Sequence, residues 1–447
     1  MAAPPTTTDL ESAARPGGAV RRAPFSENPT VGARGQLTRQ RILDAALAVF
    51  SDVGYHRGSI DEIAKRCGCS RVSFYQYFAS KDDLFRQLAL GVARQVSAST
   101  EALDPLRADL EGWSAMRAWI ARYDEIHARH EPVFVAYETD QDLARLAASL
   151  GDEAITRIHS RLVAATLPPR QLDPVIRLLL ECLNHSLGVA GVLRSAAPTA
   201  YPRERVRDAV TDVLHRTLFG ARPDVNQRTC GGPSLPTLEF GPAMRHMLRE
   251  DDEALEPAAS NKPALFALLS SGRDVFVTRG YHDTRVDDLV AAADVSRGVF
   301  YRYFRNKGDL ARVLAARAMR AVGTPLMEIP DVFALDPSAA RSGLRKWLRR
   351  YNAEHVKEAA MLHVWVDAAL GDPAIRAEYA PPLDWGRRRM SHYLRPRGFG
   401  DVDMDAVVMV ALFGVFGARP RPPTEVEAAA HIIERGFLGA HPTLEHV

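Results

Sequence analysis

Two groups of side chains stand out by type and spacing: Arg71, Tyr75 and Lys81, then Arg297, Tyr301 and Lys307, each 226 positions further on. A guanidinium forks onto planar acceptors, while a phenol hydroxyl and an ammonium each reach a single anionic oxygen. Arranged along one short helix and the start of the next, such groups suit a polyanion whose phosphates fix position and whose base edges are read. The same aromatic frame surrounds both groups, Phe74-Tyr75-x-Tyr77-Phe78 and Phe300-Tyr301-x-Tyr303-Phe304. Phe74 and Phe78 are expected in a core, which leaves Arg71, Val72, Ser73, Tyr75 and Gln76 toward an open face. Arg297, Gly298, Val299, Tyr301 and Arg302 take those places in the second copy.

The elements that must hold these residues repeat as well. Phe50, Gly54, Tyr55 and Asp61 recur at the same offset of 226 as Phe276, Gly280, Tyr281 and Asp287. Trp119, Tyr123, His127 and Tyr137 face Trp347, Tyr351, His355 and Trp365 at an offset of 228, and LFGARP from Leu218 faces FLGAHP from Phe437 at 219. An internal repeat on this scale predicts a duplicated structural unit. The periodicity is helical throughout and no segment alternates as a strand would, so an all-α chain is expected. Ser59-Ile60-Asp61-Glu62 is a capping box, with Thr284 and Asp287 expected to do the same work in the second copy; Ser70 and Ser296 can cap the short helices that follow. Helix, glycine turn and helix make a helix-turn-helix outline. Asp294 replaces Gly68 at the turn and is tolerable there in a left-handed conformation.

The pattern Thr38, Phe50, Gly54, Ser59, Ile63-Ala64, Gly68-Cys69-Ser70, Phe74-Tyr75-x-Tyr77-Phe78-x-x-Lys81-x-x-Leu84 resembles the DNA-binding head of the tetracycline-repressor (TetR) family. The resemblance implies two tandem units, each a three-helix helix-turn-helix head and a helical effector-binding body. It also implies a ligand-responsive transcriptional regulator, a repressor whose two heads bind adjacent major grooves of double-stranded DNA and leave when a small effector binds. The expected layout is a disordered arm over 1–36, a head over 37–98, a body over 99–223 and a linker over 224–262. A second head follows over 263–322 and a second body over 323–447. Thr38 and Arg39 offer phosphate contacts at the start of the first helix; Ala264 and Leu265 replace them in copy two, so head 2 is expected to bind more weakly or, as the alternative, to be degenerate in an effector-binding protein and serve dimerisation or partner contacts. One chain can then fold as a pseudo-dimer, with a homodimer as the alternative.

Residues 36–96 carry nine Lys/Arg against six Asp/Glu and 263–322 carry ten against six, while the whole chain is only +2. Both heads are thus more basic than the rest, as a DNA-facing surface requires. No apolar run is read as long enough to span a membrane, Val407–Ala418 being too short, and the first residues lack a secretory pattern; a cytoplasmic, nucleoid-associated protein is expected. Cys67-x-Cys69 has no second ligand pair, so neither metal nor cofactor is expected, and without a nucleophile elbow or phosphate loop an enzyme is not. Trp119, Tyr123, His127 and Tyr137 and their counterparts Trp347, Tyr351, His355 and Trp365 are candidates to line an effector cavity for a largely apolar molecule, with His185 and His363 ranking below them. Gly188-Val-Ala-Gly191 and Gly414-Val-Phe-Gly417 lie in apolar helical stretches where close approach of another helix would justify glycine; with helices near 203–219 and 424–438 they predict a four-helix seam between the halves.

Overall fold

A computed structural model of the chain describes residues 32–439 apart from 56, 140, 164–166, 168, 221–234, 236, 239–261, 332–335, 372–374, 376 and 398–399. Every regular element among them is helical, with one isolated bridge between Leu106 and Leu162. Of the arm read over 1–36, residues 1–31 fall outside this set, and helix α1 (Ala33–Val53) already begins inside the stretch. The linker read over 224–262 falls outside it except for Leu235, Thr237, Leu238 and Lys262.

The chain divides into two compact units, one holding residues up to Ala46 and Ser59–Phe85, the other Leu47–Gly58 and Arg86 onward. The first unit is head 1: most of α1, then α2 (Ile60–Cys67), α3 (Arg71–Tyr77) and the first turn of α4 (Lys81–Glu101). Local chemistry sets each boundary. Ser59 Oγ accepts the Glu62 N–H at 3.1 Å and Ser70 Oγ accepts the Ser73 N–H at 3.0 Å, each satisfying an amide that the helix start leaves free. Gly68 closes α2 at φ +70°, and Arg41 ties α1 to that turn by donating to the Cys67 carbonyl at 2.6 Å. Ile42, Ile63, Phe74 and Phe78 are fully buried at its centre.

The second unit contains body 1, head 2 and body 2. Body 1 is the rest of α4 with α5 (Leu110–Arg129), α6 (Glu131–Thr139), α7 (Gln141–Arg161), α8 (Pro169–Ala196) and α9 (Arg203–Phe219). Head 2 repeats head 1 as α10 (Pro263–Arg279), α11 (Val286–Ala292), α12 (Arg297–Tyr303) and the start of α13 (Lys307–Leu326). Its core joins Phe276, Leu289, Phe300 and Leu310 to Trp365 of α14 (Pro337–Gly371). Asp294 occupies the left-handed turn at φ +52°, the strained conformation that Gly68 adopts without a side chain. The expected cap of α11 is corrected: the Arg285 N–H is accepted by Asp288 at 2.8 Å, while the Thr284 hydroxyl donates back to the Gly280 carbonyl. One residue of slippage follows because Thr284 is drawn into the preceding turn.

Body 2 closes with α15 (Ala380–Leu394), α16 (Val402–Gly417) and α17 (Pro423–His431), which runs on as a π turn over Ile432–Phe437. α8 packs on α16 and α17, and α9 packs on α16 and the π turn. This is the four-helix seam, built within one chain. Glycine serves it as expected at two of the four positions: a Cβ at Gly414 would stand 2.7 Å from His185 Nε2 on α8 and one at Gly417 would run into His355 of α14, whereas at Gly188 or Gly191 it would meet nothing within 4 Å. Gly436, not foreseen, would bring a Cβ 2.3 Å from Thr217 Oγ1 on α9. Over Gln171–Ala196, α8 is long and apolar enough to cross a membrane by composition, contrary to the sequence expectation. Cys182, Leu183, Ser186 and Ala190 are nevertheless buried, and this helix fills the seam.

Candidate nucleic-acid interface and ligand cavity

The recognition helices α3 and α12 present matching faces. Val72 is 73% exposed and Tyr301 55%, large apolar surface with nothing over it. Arg71 is held by Asp61 of α2 at 3.0 Å and lies over the Tyr75 ring at 5.9 Å. Arg297 pairs with the matching Asp287 of α11, here forking onto it through Nε and Nη2, and its guanidinium holds that carboxyl below the usual carboxylate range. Arg71 and Asp61 are 59% and 67% exposed, so their pair contributes little stability and exchanges readily for a stronger acceptor. Gln76, Gly298 and Arg302 are exposed and Ser73, Tyr75 and Val299 half-buried on the same faces.

Other candidates carry structural duties. Ser59, Ser70 and Ser296 cap helices, Ser296 accepting the Val299 N–H at 3.3 Å. Thr38 lies in the second turn of α1, its hydroxyl donating to the Arg34 carbonyl at 3.1 Å, because that helix starts earlier than expected. Arg39 covers the Phe78 ring at 5.6 Å. Lys307 donates to the carbonyls of Tyr281 at 2.6 Å, His282 at 3.1 Å and Thr284 at 2.8 Å, which engages all three of its N–H bonds. It also sits 4.6 Å from the Tyr281 ring, and burial pushes its pKa down, as it does for half-buried Lys81.

The second unit encloses a cavity of about 1120 Å³. Trp119, Tyr123, Tyr351 and His355 line it, as do His185 and His363. The remaining candidates stand elsewhere. His127 packs at a tilt against Phe134, ring centroids 4.7 Å apart, Trp347 gives its indole N–H to the Pro325 carbonyl at 2.9 Å, and Trp365 is buried in the head 2 core. The Tyr137 side chain lies outside the described residues. Helical spacing alone does not separate these cases, since each residue is equally amphipathic. Sequence reasoning missed Glu181, Asn184 and Trp385. Two of them were signalled by polar side chains interrupting the apolar run of α8. Glu181 pairs across the seam with Arg419 at 3.4 Å and Arg421 at 3.0 Å, and Asn184 accepts the Tyr123 hydroxyl at 3.3 Å. Burial pushes the Tyr351 phenol well above its ordinary range and lowers His355 to about 4, so both are neutral near pH 7.

The sequence profile of bacterial regulatory proteins of the tetR family matches residues 42–88 and again 268–322. The HTH-type transcriptional repressor LfrR of Mycolicibacterium smegmatis is 31% identical over 189 residues, covering 41% of this chain and 90% of LfrR. The HTH-type transcriptional activator FasR of the same species is 36% identical over 115 residues, 24% of this chain and 49% of FasR. The chain spans about half the length of several curated relatives that it matches. A solved structure of a tetR-family transcriptional regulator from Streptomyces coelicolor overlaps 42% of this chain and 82% of its own, at 22% identity and a TM-score of 0.34. With LfrR matched over nearly its whole length by less than half of this chain, and the family profile met at both heads, the chain belongs to the tetR family of bacterial regulatory proteins.

Proposed function

We propose that the chain is a ligand-responsive DNA-binding transcriptional regulator, acting as a repressor in the cytoplasm at the nucleoid. Each head docks its short helix in a major groove of an operator, the two grooves adjacent, and a small, largely apolar effector releases the complex. The observation that carries this reading is the duplicated outer face, where a carboxylate one helix earlier orients Arg71 and Arg297 alike. Repression rather than activation is supported by the likeness to LfrR, a repressor by name, over 90% of that protein. The seam inside one chain favours an intrachain pseudo-dimer over a homodimer.

The two faces are not identical: Val72, Ser73 and Gln76 stand where Gly298, Val299 and Arg302 do. Gln suits adenine and Arg suits guanine in the major groove, so an operator with unlike half-sites is expected. A second reading, in which head 2 serves pairing rather than DNA, is supported by Lys307, whose donors already serve backbone carbonyls.

Fluorescence anisotropy on duplexes from the upstream region of its own gene tests both readings. Gln76→Ala and Arg302→Ala should each relax choice at one base by about 1–3 kcal/mol, and Tyr75→Phe should weaken all duplexes with a shallower salt slope. If Arg302→Ala and Arg297→Ala leave affinity unchanged while Arg71→Ala weakens it, head 2 does not read DNA. Absence of any salt-dependent binding refutes the regulator reading.

A further inference from the structure

We propose that the two bodies share one ligand site, which takes a single uncharged and mainly apolar molecule. The shared site deepens the effector reading above and rests on it for its regulatory meaning. Its walls come from both halves: Trp119, Tyr123 and His185 from body 1, and Tyr351, His355 and Phe413 from body 2. His185 of α8 reaches so far toward α16 that a Cβ at Gly414 would stand 2.7 Å from its Nε2.

The duplicated residues have divided the work. Trp119 lines the cavity, while its counterpart Trp347 is turned away by its bond to Pro325. His355 lines the cavity, while its counterpart His127 is covered by Phe134. Neither body therefore retains a full set, and the halves complete one another.

The chemistry of the ligand follows from what the walls offer. Trp119, 3% exposed, gives the wall an aromatic face, and Val92, Ala93, Leu180 and Phe413 make most of the rest of it apolar. Of the charged wall residues, Arg177 pairs with Asp152 at 2.7 Å and Glu181 with Arg419 and Arg421, and Arg320 also lines the cavity. His355 is neutral, since burial lowers it to about 4. A charged ligand would have to break these pairs, whereas an uncharged one does not. At about 1120 Å³ the cavity slightly exceeds the usual range of roughly 300–1,000 Å³ for small-molecule sites, which suits a large small-molecule occupant.

Nile red, an uncharged dye with a carbonyl acceptor whose emission rises in apolar surroundings, is a suitable probe for the purified full chain. A tight-binding titration should reach one dye per chain. Ala154→Trp, on the body 1 side, and Leu362→Trp, on the body 2 side, should each abolish the whole signal while circular dichroism melting stays near that of the parent. Two dyes per chain, with each tryptophan variant losing one, would overturn the shared site, and so would no dye binding at all. Dye bound at one per chain without release of DNA in anisotropy would leave the site standing and sink the effector reading instead.

Discussion

Asp405→Ala probes what holds the two halves in one chain. Arg216 of α9 and Asp405 of α16 are 0% and 1% exposed, and Arg216 Nη2 donates to Asp405 Oδ2 at 2.9 Å across the seam. The Arg216 Nε donates to the Gly436 carbonyl at 2.7 Å, so the guanidinium is fixed against the π turn as well. Removing the carboxylate leaves a buried cation without its anion, which costs about 3–5 kcal/mol. Spread over the unit formed by Leu47–Gly58 and Arg86–Val447, at about 2.1 cal/mol/K of unfolding entropy per residue, this lowers Tm by about 4–6 °C. The pair is not repeated by symmetry. Leu179 occupies the position 226 before Asp405, so pairing body 1 with a second body 1 would bury Arg216 against a leucine. That is a physical reason for the halves to prefer each other over a second chain. Thermal melting by circular dichroism, with sedimentation to detect new oligomers, reads the effect; Arg216→Met with Asp405→Leu should restore most of the lost stability, because no charge then remains buried. A single variant that melts within a degree of the parent would refute the assignment of the pair as a seam lock.

Three further outcomes are expected. Burial lowers His355 and His431 to about 4, whereas an unfolded imidazole takes its proton near 6.5; between these values the unfolded state binds more protons. Their contribution is therefore complete above pH 6.5 and is lost as pH falls toward 4, at most about 3 kcal/mol for each. Urea midpoints at pH 7.5 and 5 should show this loss, and His355→Gln should flatten it. Asp294→Gly should stabilise head 2 by about 1 kcal/mol, since glycine adopts φ +52° without a Cβ penalty; a lower midpoint would show that the aspartate side chain supports the turn. Lys307→Met should cost about 2 kcal/mol of stability by stripping three carbonyls of their donor. If it instead leaves stability intact and lowers the salt slope of DNA binding by about one, Lys307 is a phosphate contact.

The chain spells out its own duplication, its helical class and the turn chemistry of both heads. These depend on interactions a few residues apart: Ser59 with Glu62, Ser70 with Ser73, and a left-handed turn at Gly68 or Asp294. The outward set of α3 and α12 was legible for the same reason, because a seven-residue helix anchored by one buried phenylalanine within it and a second at its C-cap has only one face left to expose. The cavity was not. Whether Trp119 or Trp347 opens onto empty space depends on where Pro325 happens to lie, and Gly191 and Gly417, alike in sequence, differ in that only Gly417 has an imidazole, His355, against it. Such choices are made by groups tens to hundreds of residues apart, through packing that leaves no period in the sequence. The seam lock of Arg216 and Asp405 belongs with them: nothing along α9 or α16 marks either residue until the two helices meet.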